Sequence, residues 1–258
     1  MTHDSLATQL EFALETAWKA GRATLAHFQT GVAAETKPDL SPVTIADRAA
    51  EALCRKLIEA RYPGDGILGE ELGETRPGGR RRWIIDPIDG TRSFLHGVPL
   101  YSVLLALEED GEPVLGVIHL PALNETVWAA RGAGCWWDGR RALVSDVDRL
   151  EDATVLTSEG RFPDDTGWLA WRRLASRAAN ARTWGDAYGY ALVATGRAEA
   201  MLDPHLSIWD AAPLRPIIEE AGGVFTDWGG TPTHLGASAI ATNAALARTV
   251  RQLVTGEA

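Results

Sequence analysis

The sequence predicts a layered sandwich of α+β and α/β character, with an antiparallel sheet in the first half and a mixed sheet in the second. Three observations carry that prediction: apolar residues at helical spacing near the start, a run of short β-branched segments up to about residue 137, and alternating strand and helix signals after it. Leu6, Leu10, Ala13, Leu14, Ala17, Ala20 and Leu25 recur at helical spacing, so residues from about 5 to 29 form one amphipathic helix. A second helix follows Thr44, whose hydroxyl caps the first turn while Asp47 answers from three residues on; it continues through Leu53 and Ile58 to Tyr62-Pro63. Strands are then expected over 66–69, 83–86, 101–108, 113–120, 126–130 and 135–137, with E-D-G-E marking a hairpin between the third and fourth. Pro87 cannot donate to a ladder, so the buried run Trp83-Ile84-Ile85 should end about where Asp86 begins.

The second half alternates. A strand is expected over 154–158, a helix near 168–180, a short strand over 181–184 and a helix over 187–195. Residues 201–203, a helix over 209–221 closed by Gly222-Gly223, strands over 224–226 and 238–241, and a C-terminal helix from Ala244 complete it. With no long linker or repeat, the expected division is 1–140 and 141–258, closely packed, with the cleft between them as the default ligand site.

Composition narrows the function. The chain has 258 residues, 45% of them apolar, which supplies ample core. Its net charge is -10 and no Lys/Arg run interrupts it, so the electrostatic footprint of a nucleic-acid binder is missing. Cys54 and Cys135 form neither a zinc motif nor a disulfide framework, which fits a reducing cytoplasm. The start carries acids without an apolar signal core, and nowhere do 18 apolar residues run together, so neither secretion nor a membrane partner is expected.

The segment W-I-I-D-P-I-D-G-T places Asp86 and Asp89 at the end of a strand. Two carboxylates this close repel each other unless a cation sits between them, and oxygen ligands suit Mg²⁺, which also binds substrate phosphate. A D-G turn with a capping aspartate is the alternative reading of the same residues. Further acids follow the strand 66–69 as Glu70-Glu71 and open a helix as Trp209-Asp210-Ala211-Ala212. Gly90 and Thr91 offer backbone N–H groups at the start of a short helix, a ready phosphate cradle.

Taken in order, G-E-E, D-P-I-D-G-T, W-D-A-A and E-A-G-G resemble the inositol monophosphatase family of Mg²⁺-dependent phosphatases, over about residues 37–223. The resemblance implies an αβαβα, sugar-phosphatase-like sandwich and a homodimer. It implies that Glu70, Asp86 and the Ile88 carbonyl hold one Mg²⁺, that Asp86, Asp89 and Asp210 hold a second, and that a third ion shares Glu70. It also implies that Thr91 orients the attacking water and that Asp47 polarises Thr91. Such a site needs many oxygens because hydrolysis of a phosphomonoester develops charge on both attacking and leaving oxygens. Asp47 and Asp210 each have a second reading as helix caps, Glu71 is assigned a supporting role, and Trp83, Trp136, Trp137, Trp184 and Trp209 are assigned to packing. His27, His119 and His234 show no ligand spacing.

Specificity is read from the second half. The form G-D-x-Y-G-Y, with L-D-P-x-L-S-x-W-D downstream, is most similar to the histidinol-phosphate phosphatase branch of that family. Inositol-type members commonly carry a small residue or hydroxyl where this chain has Asp186. A carboxylate is a suitable partner for the ammonium of histidinol phosphate, so Asp186 and Asp203 are assigned to the substrate together with Asp89, Gly90 and Thr91. Asp186 as a helix cap and Asp203 as a turn residue before Pro204 are the structural alternatives. An inositol monophosphatase, a broader sugar or nucleotide phosphatase, and a metal-binding regulator without turnover remain the competing functions.

Overall fold

Ser5 starts helix α1 (Leu6–Leu25) by accepting the Thr8 amide, and the buried Leu10, Ala13, Ala17 and Ala20 line one face. These share an apolar cluster with Ala50, Cys54 and Ile58 of α2 (Ile45–Arg61). The first helix is shorter than its periodicity suggests, because the chain turns after Leu25 and passes through positive φ at Gln29 and Gly31. The structure is a computed structural model that describes residues 4–38, 41–158, 160, 162 and 164–256; the extremities of the two expected halves, 1–3 and 257–258, lie outside the described residues. A hairpin of β1 (Ala34–Thr36) and β2 (Pro42–Thr44), too short and polar to stand out in the sequence, leads into α2.

The first sheet contains β3 (Gly66–Gly69), β4 (Gly73–Thr75), β5 (Arg81–Asp89), β6 (Ser102–Glu109), β7 (Glu112–Leu120), β8 (Glu125–Ala130), β9 (Gly134–Trp137) and β10 (Arg140–Arg141). Their spatial order is β10-β9-β8-β7-β6-β5-β3-β4, antiparallel throughout except for the parallel pair β3–β5. Asp110 and Gly111 both take positive φ, as a two-residue hairpin turn requires. The short helix α3 (Thr91–Leu95) follows β5 directly.

The second sheet contains β11 (Thr154–Thr157), β12 (Asn180–Arg182), β13 (Ala200–Asp203), β14 (Val224–Thr226) and β15 (Ala239–Thr242), in the order β12-β11-β13-β15-β14. It is mixed: β11 is parallel to both neighbours, whereas β13–β15 and β14–β15 are antiparallel. The remaining helices are α4 (Asp165–Ala175), α5 (Ala187–Ala194), α6 (Ile208–Glu220) and α7 (Ala247–Thr255). Helix α4 starts three residues before the expected Trp168, because Asp164 caps it by accepting the Gly167 amide.

Strand alternation stacks these pieces into five layers. Trp83, Ile85, Val103, Leu105 and Val117 of the large sheet face α1 and α2. On its other face, Ile84 and Ala106 meet Ala212 of α6, while Leu104 and Ile118 join Tyr190, Leu214 and Ile217 of α5 and α6 in the cluster that also holds Phe225, Ala239 and Ala241 of the small sheet. The outer face of the small sheet, with Val155, Leu202 and Ile240, is covered by Trp171 and Leu174 of α4 and Val250 and Val254 of α7. The result is the αβαβα order. Helix α6 lies so close to β7 that a Cβ on Gly116 would fall 2.0 Å from the Pro213 carbonyl oxygen, so only glycine admits the helix at that depth.

Candidate active site

Trp83 and Ile85 point toward α1 and α2, so Ile84 and Asp86 point the other way, toward α6. In a regular strand Asp89, three residues on, would face away from Asp86. It does not, because the ladder slips: Asp86 pairs with Leu104 and Asp89 with Ser102, so three steps on β5 span two on β6. The expectation that the strand stops at Pro87 is therefore corrected. The missing proline N–H is absorbed by an irregularity, and β5 continues to Asp89 with both acids turned inward.

The third acid comes from α6. Ser207, not Asp210, is the N-cap of that helix; Asp210 is the third residue of a capping box and accepts the Ser207 amide at 2.8 Å. One carboxylate oxygen of each of Asp86, Asp89 and Asp210 lies within 4.8 Å of the others. Neighbouring groups hold these acids in place. Asp86 accepts the Ile88 amide at 3.0 Å, and Asp89 accepts the Ser102 hydroxyl at 2.9 Å and the Ala187 amide, at the start of α5, at 2.7 Å.

Burial, followed by the charges of Glu70 and Asp210, pushes the Asp86 carboxyl well above the usual carboxylate range; burial and then Asp186 do the same for Asp89. Asp210 is raised by burial against the pull of its hydrogen bonds to Asp86 and Ser207. Converging oxygen ligands that repel one another in the absence of a counter-charge are a donor set for a hard divalent cation. Glu70 adjoins the trio without belonging to it. Its Oε1 is 2.5 Å from Lys37 Nζ, which also donates to Glu71 at 2.9 Å. Burial alone would lower the Lys37 ammonium, but hydrogen bonds to both glutamates outweigh it and raise it.

Asp47, fully buried, does two things at once: Oδ2 accepts the Thr44 amide at 2.8 Å and hydroxyl at 2.6 Å, while Oδ1 lies 3.5 Å from the Thr91 hydroxyl. Thr91 also donates to the Ile88 carbonyl at 3.1 Å. Gly90, at φ 83°, turns the chain from β5 into α3. A Cβ there would lie 2.7 Å from Asp186 Oδ2, which puts the Asp186 carboxylate directly over Gly90.

Asp186, Asp203, Asp89 and Asp210 line one pocket of about 120 Å³ together with Ser158 and His205. Asp186 occupies the N-cap position of α5 but makes no side-chain cap; its backbone, at φ 54° and ψ -159°, is held by its amide donating to Ser158 Oγ at 2.8 Å. Asp203 lies beneath, accepting the Ser158 amide at 3.0 Å and the Tyr190 hydroxyl at 2.9 Å. Burial pushes its carboxyl up to about 7.

The sequence matches the inositol monophosphatase family over residues 5–256. The chain belongs to that family. Its fold agrees: the extragenic suppressor protein suhB of Bartonella henselae superposes with a TM-score of 0.92 at 31% identity, covering 97% of this chain and 100% of the other. The histidinol-phosphatase of Chlorobaculum parvum is 46% identical over 93% of each chain. That of Mycobacterium tuberculosis is 40% identical over 95% of this chain and 96% of its own length. This inositol monophosphatase family member is thus a metal-dependent phosphatase.

Lys37, Ser102, Ser158 and the Ala187 amide carried no role in the sequence reading. Each acts on a partner 13 or more residues away, and only Ala187 stands in a motif, as the unspecified position of G-D-x-Y-G-Y. Trp184, expected in packing, is 44% exposed beside the pocket-forming turn.

Proposed function

We propose that this phosphatase converts L-histidinol phosphate and water to L-histidinol and phosphate, using Mg²⁺. The observation that carries this reading is the Asp186 carboxylate lying over Gly90, where it can meet an ammonium group next to a phosphate seated on the Gly90-Thr91 amides. In this reading Asp86, Asp89 and Asp210 hold one Mg²⁺, Glu70 and the Ile88 carbonyl complete a second site with Asp86, and a third ion shares Glu70. Bound magnesium would supply charge to both oxygens of the breaking ester and acidify a bound water. The chain's own part is orientation: in this reading the single Thr91 proton turns from the Ile88 carbonyl to Asp47, which frees that carbonyl and leaves the Thr91 hydroxyl oxygen to position the attacking water. Asp203, held by Ser158 and Tyr190, forms the floor of the alcohol subsite beneath Asp186.

The same reading assigns metal binding mainly to residues 1–140 and substrate choice to residues 141–258, and it expects a cytoplasmic homodimer serving histidine biosynthesis. None of the described helices is long and apolar enough to cross a membrane. The test is phosphate release by the Mg²⁺-loaded protein from L-histidinol phosphate and from inositol 1-phosphate, side by side. A clear preference for the first is expected; a preference for the second would reassign the enzyme to inositol phosphates.

A further inference from the structure

Two residues of α2 grip the loop that carries Glu70 and Glu71, and neither has a part in the chemistry above. Glu51 sits one helical turn beyond Asp47 and is fully buried. Its Oε2 accepts the Glu71 amide at 2.7 Å, and its Oε1 accepts the Leu72 amide at 3.2 Å and Arg55 Nε at 2.7 Å. Arg55 in turn donates to the Gly73 carbonyl. Successive backbone groups at 71, 72 and 73 are thus bound from one helix, while the Glu70 amide is fixed on the other side by the Ile85 carbonyl at 3.2 Å.

The sequence makes room for this grip. A Cβ on Gly69 would fall 2.1 Å from Glu51 Oε1, so the glycine of G-E-E is what lets the carboxylate under the loop. Burying an ion pair is costly unless its lone pairs and protons are used, and here the Glu51 carboxylate takes three donors. The mechanical need is clear as well. Glu70 stands beside Asp86 and Asp210, whose charges repel it, and a free surface turn would relax outward. The same α2 face therefore serves the site twice, through Asp47 at Thr91 and through Glu51 at the glutamate loop.

We propose that Glu51, supported by Arg55, is a positioning residue for divalent-cation binding: it clamps the 69–73 loop so that Glu70 is presented to the acidic trio before the ion arrives. The proposal rests on the metal role read for Glu70. Metal affinity, rather than substrate affinity, should depend on the clamp, because preorganising a ligand removes a cost of binding.

The test is Glu51→Gln in the full-length protein, with Mg²⁺ binding measured calorimetrically without substrate and the Mg²⁺ dependence of phosphate release measured in parallel. The amide keeps the shape but sets an NH₂ group against a backbone N–H. Expected is an increase of about tenfold or more in the Mg²⁺ dissociation constant, the same shift in half-saturating Mg²⁺, and unchanged substrate KM once Mg²⁺ saturates. A folded Glu51→Gln protein that binds Mg²⁺ like the parent overturns the clamp, as does a loss of melting temperature with no change in Mg²⁺ affinity. Should that variant not fold, Arg55→Lys, which keeps the charge but cannot reach both Glu51 and Gly73, must show weakened Mg²⁺ binding for the clamp to stand. Asp86→Asn is the control that separates the two readings. If it leaves Mg²⁺ affinity intact, the assignment of the metal site is what fails; if it abolishes binding while Glu51→Gln does not weaken it, the clamp alone fails.

Discussion

Asp86 is where the charges of the site concentrate, since Glu70, Asp89 and Asp210 all raise its carboxyl. On the proposed metal assignment, replacing it with Asn removes a cation ligand and also a repulsion, so Asp86→Asn should lower kcat by about a thousandfold or more while raising the melting temperature of the metal-free protein. Phosphate release and a thermal melt in chelator check both halves; a drop in melting temperature would mean that Asp86 holds the fold together. Asp186→Ser should leave the rate on inositol 1-phosphate nearly unchanged and raise KM for L-histidinol phosphate about tenfold, the loss of one charge-assisted bond. Parallel kinetics on the two esters decide it. The acids were legible in the sequence because they stand in short motifs beside glycine and proline. Lys37 and Glu51 were not, since the residues they bind lie 33 and 20 positions away and nothing local marks the pairing.

Helix α6 is one of two elements through which the second half reaches the acidic trio, the other being the start of α5, whose Ala187 amide donates to Asp89. Helix α6 carries Asp210 and presses the Pro213 carbonyl against Gly116. Gly116→Val should therefore destabilise the protein by about 1–3 kcal/mol through overpacking and weaken Mg²⁺ binding as Asp210 shifts. Urea unfolding and calorimetry together test this, and a loss of stability without a change in Mg²⁺ affinity would show that α6 adjusts without moving its acid. Most elements could be read from periodicity and turn residues, as with the capping box at Thr44 and the hairpin at Asp110-Gly111. The end of β5 could not: the proline argument was sound for a regular ladder, but the tertiary pairing with β6 accommodates the missing donor by slipping. Residues 34–36 and 42–44 likewise pair only because the chain returns on itself, which their polar, three-residue stretches do not announce.

At the scale of the whole molecule, the layering buries groups whose titration then acts on global stability. His119, between α1 and β8, is held by burial at about 4 against an ordinary 6.5. An unfolded chain takes up that proton as pH falls through 6.5, whereas the folded one resists until about 4. The His119 contribution is complete above the upper value and is lost toward the lower one, up to about 3 kcal/mol in all. Asp203 and the trio Asp86, Asp89 and Asp210, whose carboxyls are raised, act in the opposite direction, so the test is a difference: the stability of the parent relative to His119→Gln should fall between those two values, as read by urea unfolding at several pH values. A constant difference would mean that water reaches the ring. One last consequence concerns damage that conserves every acid. Asp86 and Asp89 share a side only because β5 holds one more residue than β6 needs there. An in-frame insertion of a single codon in β6, between Ser102 and Leu104, would restore one-to-one pairing, swing one acid out of the cleft, and leave a polypeptide with all its acids present and no centre in which they meet.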